Sequence, residues 1–400
     1  MLKVKNAGLA LLLAYMLAAL IAACGGGNVT PLKAVNFTAG QAAFVVIGQT
    51  NFAGGVANQA SGVAANTSSG PYGNPNVYLG AMYLGDTGNN RTLVYSSMPV
   101  TNGASAAFAI GQNNLTSAAF GTSASAVFGP AQNAIYNGKL LVTEAGNNRV
   151  SIYNTLPVSG PGAIDTVVGQ ASKTTAGAAC SATGLNQPKT VATAGTKLVV
   201  ADAGNNRVLI WNAIPASDAV AADLVLGQAV LTSCAANRGG TADATTLSFP
   251  TAVWSDGTRL VVADSNNNRV LVWNTIPTAS GQAADLVLGQ TSFTGILPNI
   301  GGPASAPTAS TLWGPSGGVY FNSAQLIVAD SLNNRVLLWN TFPSFSGQAA
   351  DVVLGQASFT TSALATSATG LFGPSGLFLY GNQLIVSDTG NNRYLIYTGQ

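Results

Sequence analysis

Six times along the chain an acidic residue stands five positions before an arginine: Asp86 and Arg91, Glu144 and Arg149, Asp202 and Arg207, Asp264 and Arg269, Asp330 and Arg335, Asp388 and Arg393. A carboxylate and a guanidinium at short range can form an ion pair, fix a turn or tune each other's protonation. A catalytic group occurs once per site, whereas this pair returns with every unit. Its chemistry therefore reads as structural: six arginines paired with six acids, within a unit or between neighbours, holding turns rigid. The other reactive types are sparse. There is no histidine among the 400 residues, which removes the usual general base near neutral pH and the commonest transition-metal ligand. Asp165, Asp223, Asp285 and Asp351 also recur by unit, and Asp218, Asp243 and Asp256 are too scattered to suggest a dyad. No catalytic residue and no metal ligand is assigned.

The elements that carry these pairs repeat as a phrase: GDTGNNRTLVY from Gly85, TEAGNNRVSIY from Thr143, ADAGNNRVLIW from Ala201, ADSNNNRVLVW from Ala263, ADSLNNRVLLW from Ala329 and SDTGNNRYLIY from Ser387. The arginines are 58, 58, 62, 66 and 58 residues apart. A proline precedes each phrase, at Pro75, Pro130, Pro188, Pro250, Pro315 and Pro374, and a strand ending in Gly-Gln follows it, at Gln112, Gln170, Gln228, Gln290 and Gln356. Val, Ile, Leu and aromatic runs broken by Gly, Asn and Pro read as four short strands per unit, with no helical period. A repeated four-stranded antiparallel sheet is the unit of a β-propeller. The fold class is thus all-β, a six-bladed propeller over residues 43–400. The sixth unit ends after its third strand, and the unpartnered Phe44–Gln49 segment is expected to supply the missing one and close the ring.

The segment VAD-x-x-NNRV-x-x-W resembles the NHL repeat, and the resemblance covers the chain from about residue 43 onward. It implies a propeller and says little about function, since the histidines on which NHL-like lyases depend are missing. The units are longer than the usual repeat, so the excess belongs in loops. Links from Gly-Gln to the next proline hold 25, 17, 17, 21, 24 and 17 residues, lengths that usually signal function or disorder. They share a face with the NNR turns. Apolar residues before the prolines pin the loop ends, and Phe128, Trp313 and Phe372 are the candidates for a binding face there, Trp313 foremost because a large aromatic can stack on a flat ligand. The third-strand aromatics Tyr95, Tyr153, Trp211, Trp273, Trp339 and Tyr397 read as packing between blades.

The ends and the composition set the cellular context. Lys3 and Lys5 lead into an apolar run from Ala7 to Ile21 and then Cys24, a secretory leader rather than a membrane span. Ile21-Ala22-Ala23-Cys24 resembles the lipobox of bacterial lipoproteins. It implies a signal peptide over 1–23, lipidation of Cys24, a flexible linker over 24–42, and an envelope location, the outer membrane favoured. Export permits a disulfide between Cys180 and Cys234. The acids number 13 and the bases 15, and the near balance leaves no electrostatic footprint for nucleic acid. The expected partner is a protein, peptide or glycan on the loop face, with the membrane reached through lipid. A metal-dependent lactonase or lyase and a structural envelope component stand as alternatives. No cofactor is assigned, and a calcium ion in the channel has no acidic loop of EF-hand type to support it.

Overall fold

The computed structural model describes residues 34–400, so the leader, Cys24 and the glycines that follow it lie outside the described residues. Six four-stranded antiparallel sheets make up the described residues. Their innermost strands, Asn76–Tyr78, Pro130–Tyr136, Pro188–Ala194, Pro250–Ser255, Val319–Phe321 and Pro374–Tyr380, contact one another in cyclic order around a central axis. The described residues contain no α-helix, only 3₁₀ turns. The second and third strands of each blade are buried along nearly their whole length. That is why they read as continuous apolar runs rather than alternating ones: each blade is covered on both faces by its neighbours.

The core is accordingly divided into six clusters, one between each pair of adjacent blades. The sixth blade is made of Pro374–Tyr380, Gln383–Asp388, Arg393–Thr398 and, from the other end of the chain, Val45–Ile47. Val45, Val46 and Ile47 pair with Ile396, Leu395 and Tyr394. The inner strands approach so closely that a Cβ on Gly376 would lie 1.9 Å from the carbonyl oxygen of Gly73. Only glycine fits there.

Two expectations shift. The stretch 34–42, assigned to the linker, lies on the propeller: Asn36 and Gln400 exchange backbone hydrogen bonds at 3.0 Å, Val35 N–H donates to Gln325 Oε1, and Phe37 is buried in the cluster between blades 5 and 6. The apolar pair Val35 and Phe37 finds a covered site there, which a solvated linker would not offer. The proline that opens blade 1 is Pro71, not Pro75. Its carbonyl accepts from Thr389 Oγ1 just as that of Pro130 accepts from Thr87 Oγ1, and Ser69 and Gly70 before it make the bonds that Phe128 and Gly129 make in blade 2. The first link therefore holds 21 residues, like the fourth.

Cys180 and Cys234 form a disulfide across a sequence separation of 54, joining the two links that flank blade 3. Closing a loop of that size restricts the unfolded chain, and replacing both cysteines by serine is expected to cost about 2–4 kcal/mol. Thermal melts with and without reductant check this. A melting point indifferent to reduction would show that blade packing alone fixes the links.

Candidate functional site

Each NNR turn is a hub that orders the long links. The acid and the arginine face each other across the hairpin, as in the pairing of Asp264 with Arg269. Arg269 Nε donates to Asp264 Oδ2 at 2.7 Å, one terminal nitrogen reaches the Phe293 carbonyl in the following link, and the other donates to the carbonyls of Asp243 and Thr246 in the preceding one. The same pattern recurs for Arg91, Arg149, Arg207, Arg335 and Arg393, all fully buried. The ion pairs measure 2.6 to 3.0 Å and lie within single blades. The second asparagine of the turn, at φ near +50° in every blade, adopts the left-handed conformation that asparagine tolerates best after glycine. Its side chain accepts from a backbone N–H at the opening of the next blade, as Asn268 does from Gly314 at 2.8 Å, and donates to the intervening link.

The extra length of links 1, 4 and 5 is inserted at one place. In the short links the first turn asparagine donates directly to a loop carbonyl: Asn147 to Gly121, Asn205 to Ala179, Asn391 to Ala365. In the long ones an inserted asparagine meets it instead, pairing Asn58 with Asn89, Asn237 with Asn267 and Asn299 with Asn333. The loops are thus built structure with a regular anchor.

Burial holds the carboxyls of Asp86, Asp264, Asp330 and Asp388 above the usual range and pushes Asp202 up to about 6, against the opposing pull of its arginine and hydrogen bonds. Desolvation of the buried carboxyl outweighs the guanidinium beside it, which gives the acid only its Nε and spends its other donors on carbonyls. A carboxyl with a raised folded pKa takes up its proton more readily folded than unfolded, so this contribution favours the native state increasingly as pH falls from about 6 toward 4. The melting temperature is expected to hold level or rise between pH 7 and pH 5. A steady fall over that window, seen by calorimetry, would contradict the assignment.

The non-repeating chemistry lies elsewhere, at the channel mouth encircled by these links. A basin of about 530 Å³ is lined by Tyr72, Phe249, Thr251, Trp313, Ser316, Ser375 and neighbouring residues. Four of its lining residues, Tyr72, Thr251, Ser316 and Ser375, stand at the position after an opening proline, where bulges interrupt the pairing of the inner strands of blades 2, 3, 4 and 6; a bulge re-aims a side chain. That position holds Tyr72, Ala131, Lys189, Thr251, Ser316 and Ser375 in the six blades. Tyr72 Oη and Ser316 Oγ are 2.9 Å apart, and burial pushes the phenol up to about 12. Lys189 Nζ stands 5.6 Å from the Tyr72 ring centre and 5.9 Å from that of Phe249. Beside the basin Asn74 ties blade 1 to blades 5 and 6, donating to the Val319 carbonyl and accepting from the Leu377 N–H. Trp254, Tyr320 and Phe378 touch at centroid distances of 4.9 to 5.9 Å, opposite the small Asn76, Ala134 and Ala192 at the same register.

Of the three aromatics proposed from sequence, Trp313 lines the basin. Phe128 and Phe372 do not; their rings lie on the turn glycines Gly146 and Gly390, and Phe128 also packs on Phe120. The acids outside the repeat are separated and engaged locally: Asp218 with Lys173, Asp256 with Arg259, Asp243 with its own turn at Thr245. Asp165, Asp223, Asp285 and Asp351 each accept a backbone N–H at 2.7 Å from the end of the third strand. Among the described residues no group of three or more Cys, Asp or Glu side chains could hold a metal ion. Sequence reasoning missed Lys189 and Tyr72. The available signal was a reactive residue type occurring once at a position that repeats.

Fold and site together define a six-bladed β-propeller with clasped loops on one face and a polar and aromatic basin at their centre. No family model and no curated protein matches the chain. Among solved structures it is similar to a catalytically inactive virginiamycin B lyase from Staphylococcus aureus with quinupristin, at 11% identity over 84% of this chain and 97% of that one, TM-score 0.43. It is also similar to the nidogen/laminin complex, at 13% identity over 82% and 88%, TM-score 0.44, and to streptogramin B lyase, at 11% over 83% and 94%, TM-score 0.43. At such identities the likeness concerns the fold alone.

Proposed function

We propose that the protein is an exported bacterial propeller of NHL type, lipidated at Cys24 and held at an envelope membrane, the outer membrane favoured, whose loop-bearing face binds a ligand. The observation that carries this reading is the order imposed on the loops. A ring alone needs only short connections, yet here every link holds 17 or more residues and each is tied down by buried arginine and asparagine side chains. Ordering a loop before binding lowers the entropic cost of complex formation, so a preformed face of this kind suits recognition. The disulfide between two of these links fits an oxidising compartment.

Two experiments test the reading. The full chain is presented to arrays of glycans and of envelope proteins, with retention of a ligand expected and its loss when the fifth link is replaced by the shorter sixth. Retention of nothing, or retention indifferent to the swap, removes the binding role. Labelled palmitate should enter the wild-type chain and not Cys24→Ala; equal labelling, or none in either, removes the anchor.

A further inference from the structure

We propose that the basin at the channel mouth binds an acidic sugar residue of the uronic acid type, with Lys189 holding the carboxylate and the Phe249 and Trp313 rings forming the wall for the sugar. This rests on the binding role above and names the ligand class of that face.

The first support is a missing partner. The six buried arginines each have an acid and carbonyls, Lys173 and Arg259 have aspartates, Lys139 and Lys197 donate to asparagine side chains, and Arg238 lies exposed. The Lys189 side chain, partly buried, makes no hydrogen bond or ion pair among the described residues, and its ammonium faces two aromatic rings at the edge of the basin. Rings can hold an ammonium in place by their quadrupoles, at distances up to about 6 Å, but they leave its N–H donors free for an anion. Burial draws Lys189 below the usual lysine range, as expected of a cation without a counter-charge.

The second support is the polarity of the rim. Ser265, Ser331 and Thr389 donate their hydroxyl protons to the carbonyls of Pro315, Pro374 and Pro71. Thr251 and Ser375 lie against Ser265 and Thr389, whose protons are already committed. The oxygens of Thr251 and Ser375 are therefore left chiefly as acceptors, that of Thr251 with one lone pair already given to the Gly317 N–H at 3.2 Å. A ligand that fits must supply hydroxyl donors to that side and one negative charge to Lys189. One cation matches one carboxylate, whereas a phosphate dianion calls for several charged donors. Aromatic walls suit the apolar face of a sugar ring, and the basin volume lies in the range of small-molecule sites.

Isothermal titration of the full chain with sodium glucuronate, glucose and sodium acetate, read in parallel by tryptophan fluorescence, tests this. Glucuronate should bind at least tenfold more tightly than either fragment of its chemistry. Lys189→Met should lose at least tenfold with an unchanged melting curve, and Lys189→Arg should retain most of the affinity. Glucuronate binding no tighter than glucose, or undiminished in Lys189→Met, overturns the assignment. So does a short peptide with a free C-terminal carboxylate that displaces glucuronate at lower concentration. Should the arrays retain a ligand while glucuronate fails here, the sugar-acid assignment falls and the binding face stands; failure of both removes the face as well.

Discussion

Arg269→Ala is expected to lower the melting temperature by roughly 5–10 °C at pH 7, and by less at pH 5. The side chain is fully buried and serves four acceptors, Asp264 and the carbonyls of Asp243, Thr246 and Phe293. Removing one member of a buried pair costs about 3–5 kcal/mol because the groups left behind are desolvated and unpaired. Here the loss divides between a carboxylate that keeps the Ser248 and Asn267 donors but loses its counter-charge, and three carbonyls that lose the guanidinium. Only the first part depends on pH: Asp264 already has a raised pKa through burial, and without its arginine it takes a proton more easily still. Protonation at pH 5 relieves the carboxylate and leaves the carbonyls unsatisfied. Arg269→Lys should fall between, since a single ammonium cannot reach both links from one position. Calorimetry of both variants at the two pH values checks this. A deficit equal at both pH values would mean that the carbonyls carry all of it, and no deficit would mean that the clasp is decoration.

The same clasp shows what the sequence made legible and what it concealed. Acid and arginine five apart, six times over, reveal the blade count because identical chemistry at fixed register must occupy identical geometry. They do not reveal whether the pair closes within a blade or between blades; that follows from the 3₁₀ turn between Asp264 and Arg269, which places the two directly opposite each other. Pro71 was concealed by a second proline nearby, although Gly70-Pro71 matches Gly129-Pro130, Gly314-Pro315 and Gly373-Pro374 while Pro75 follows an asparagine. The basin was hardest to see because its lining is gathered from links and inner strands of several blades, far apart in sequence. Periodicity draws attention to what repeats. Lys189 differs from its five counterparts in type, and the departure, not the pattern, carries the chemistry.

Deletion of residues up to Thr50 is expected to have the larger effect, abolishing cooperative melting. The strand Val45–Ile47 is short, but it serves two interfaces: Val46 packs into the cluster between blades 5 and 6, while Val45 and Ile47 pack into the one between blades 6 and 1. Full burial of such side chains is worth about 1.5–3 kcal/mol each, and Phe37 and Ala43 go with them. The deletion also removes Gln49, whose amide donates to the Asn392 and Val56 carbonyls. What remains is an open edge on Arg393–Thr398, with Tyr394, Leu395 and Ile396 unpaired on their outer side. Such an edge is a template for another chain, so the truncated protein should associate or aggregate at concentrations where the full chain does not. A synthetic peptide spanning residues 42–50 should dock there by strand addition and restore a single melting transition, and the same peptide with Val46→Asp should not, because it would bury an unpaired carboxylate. A truncated chain that melts like the intact one would show that five and three-quarter blades hold the ring without its seam, and the closing strand would then owe its place to something other than stability.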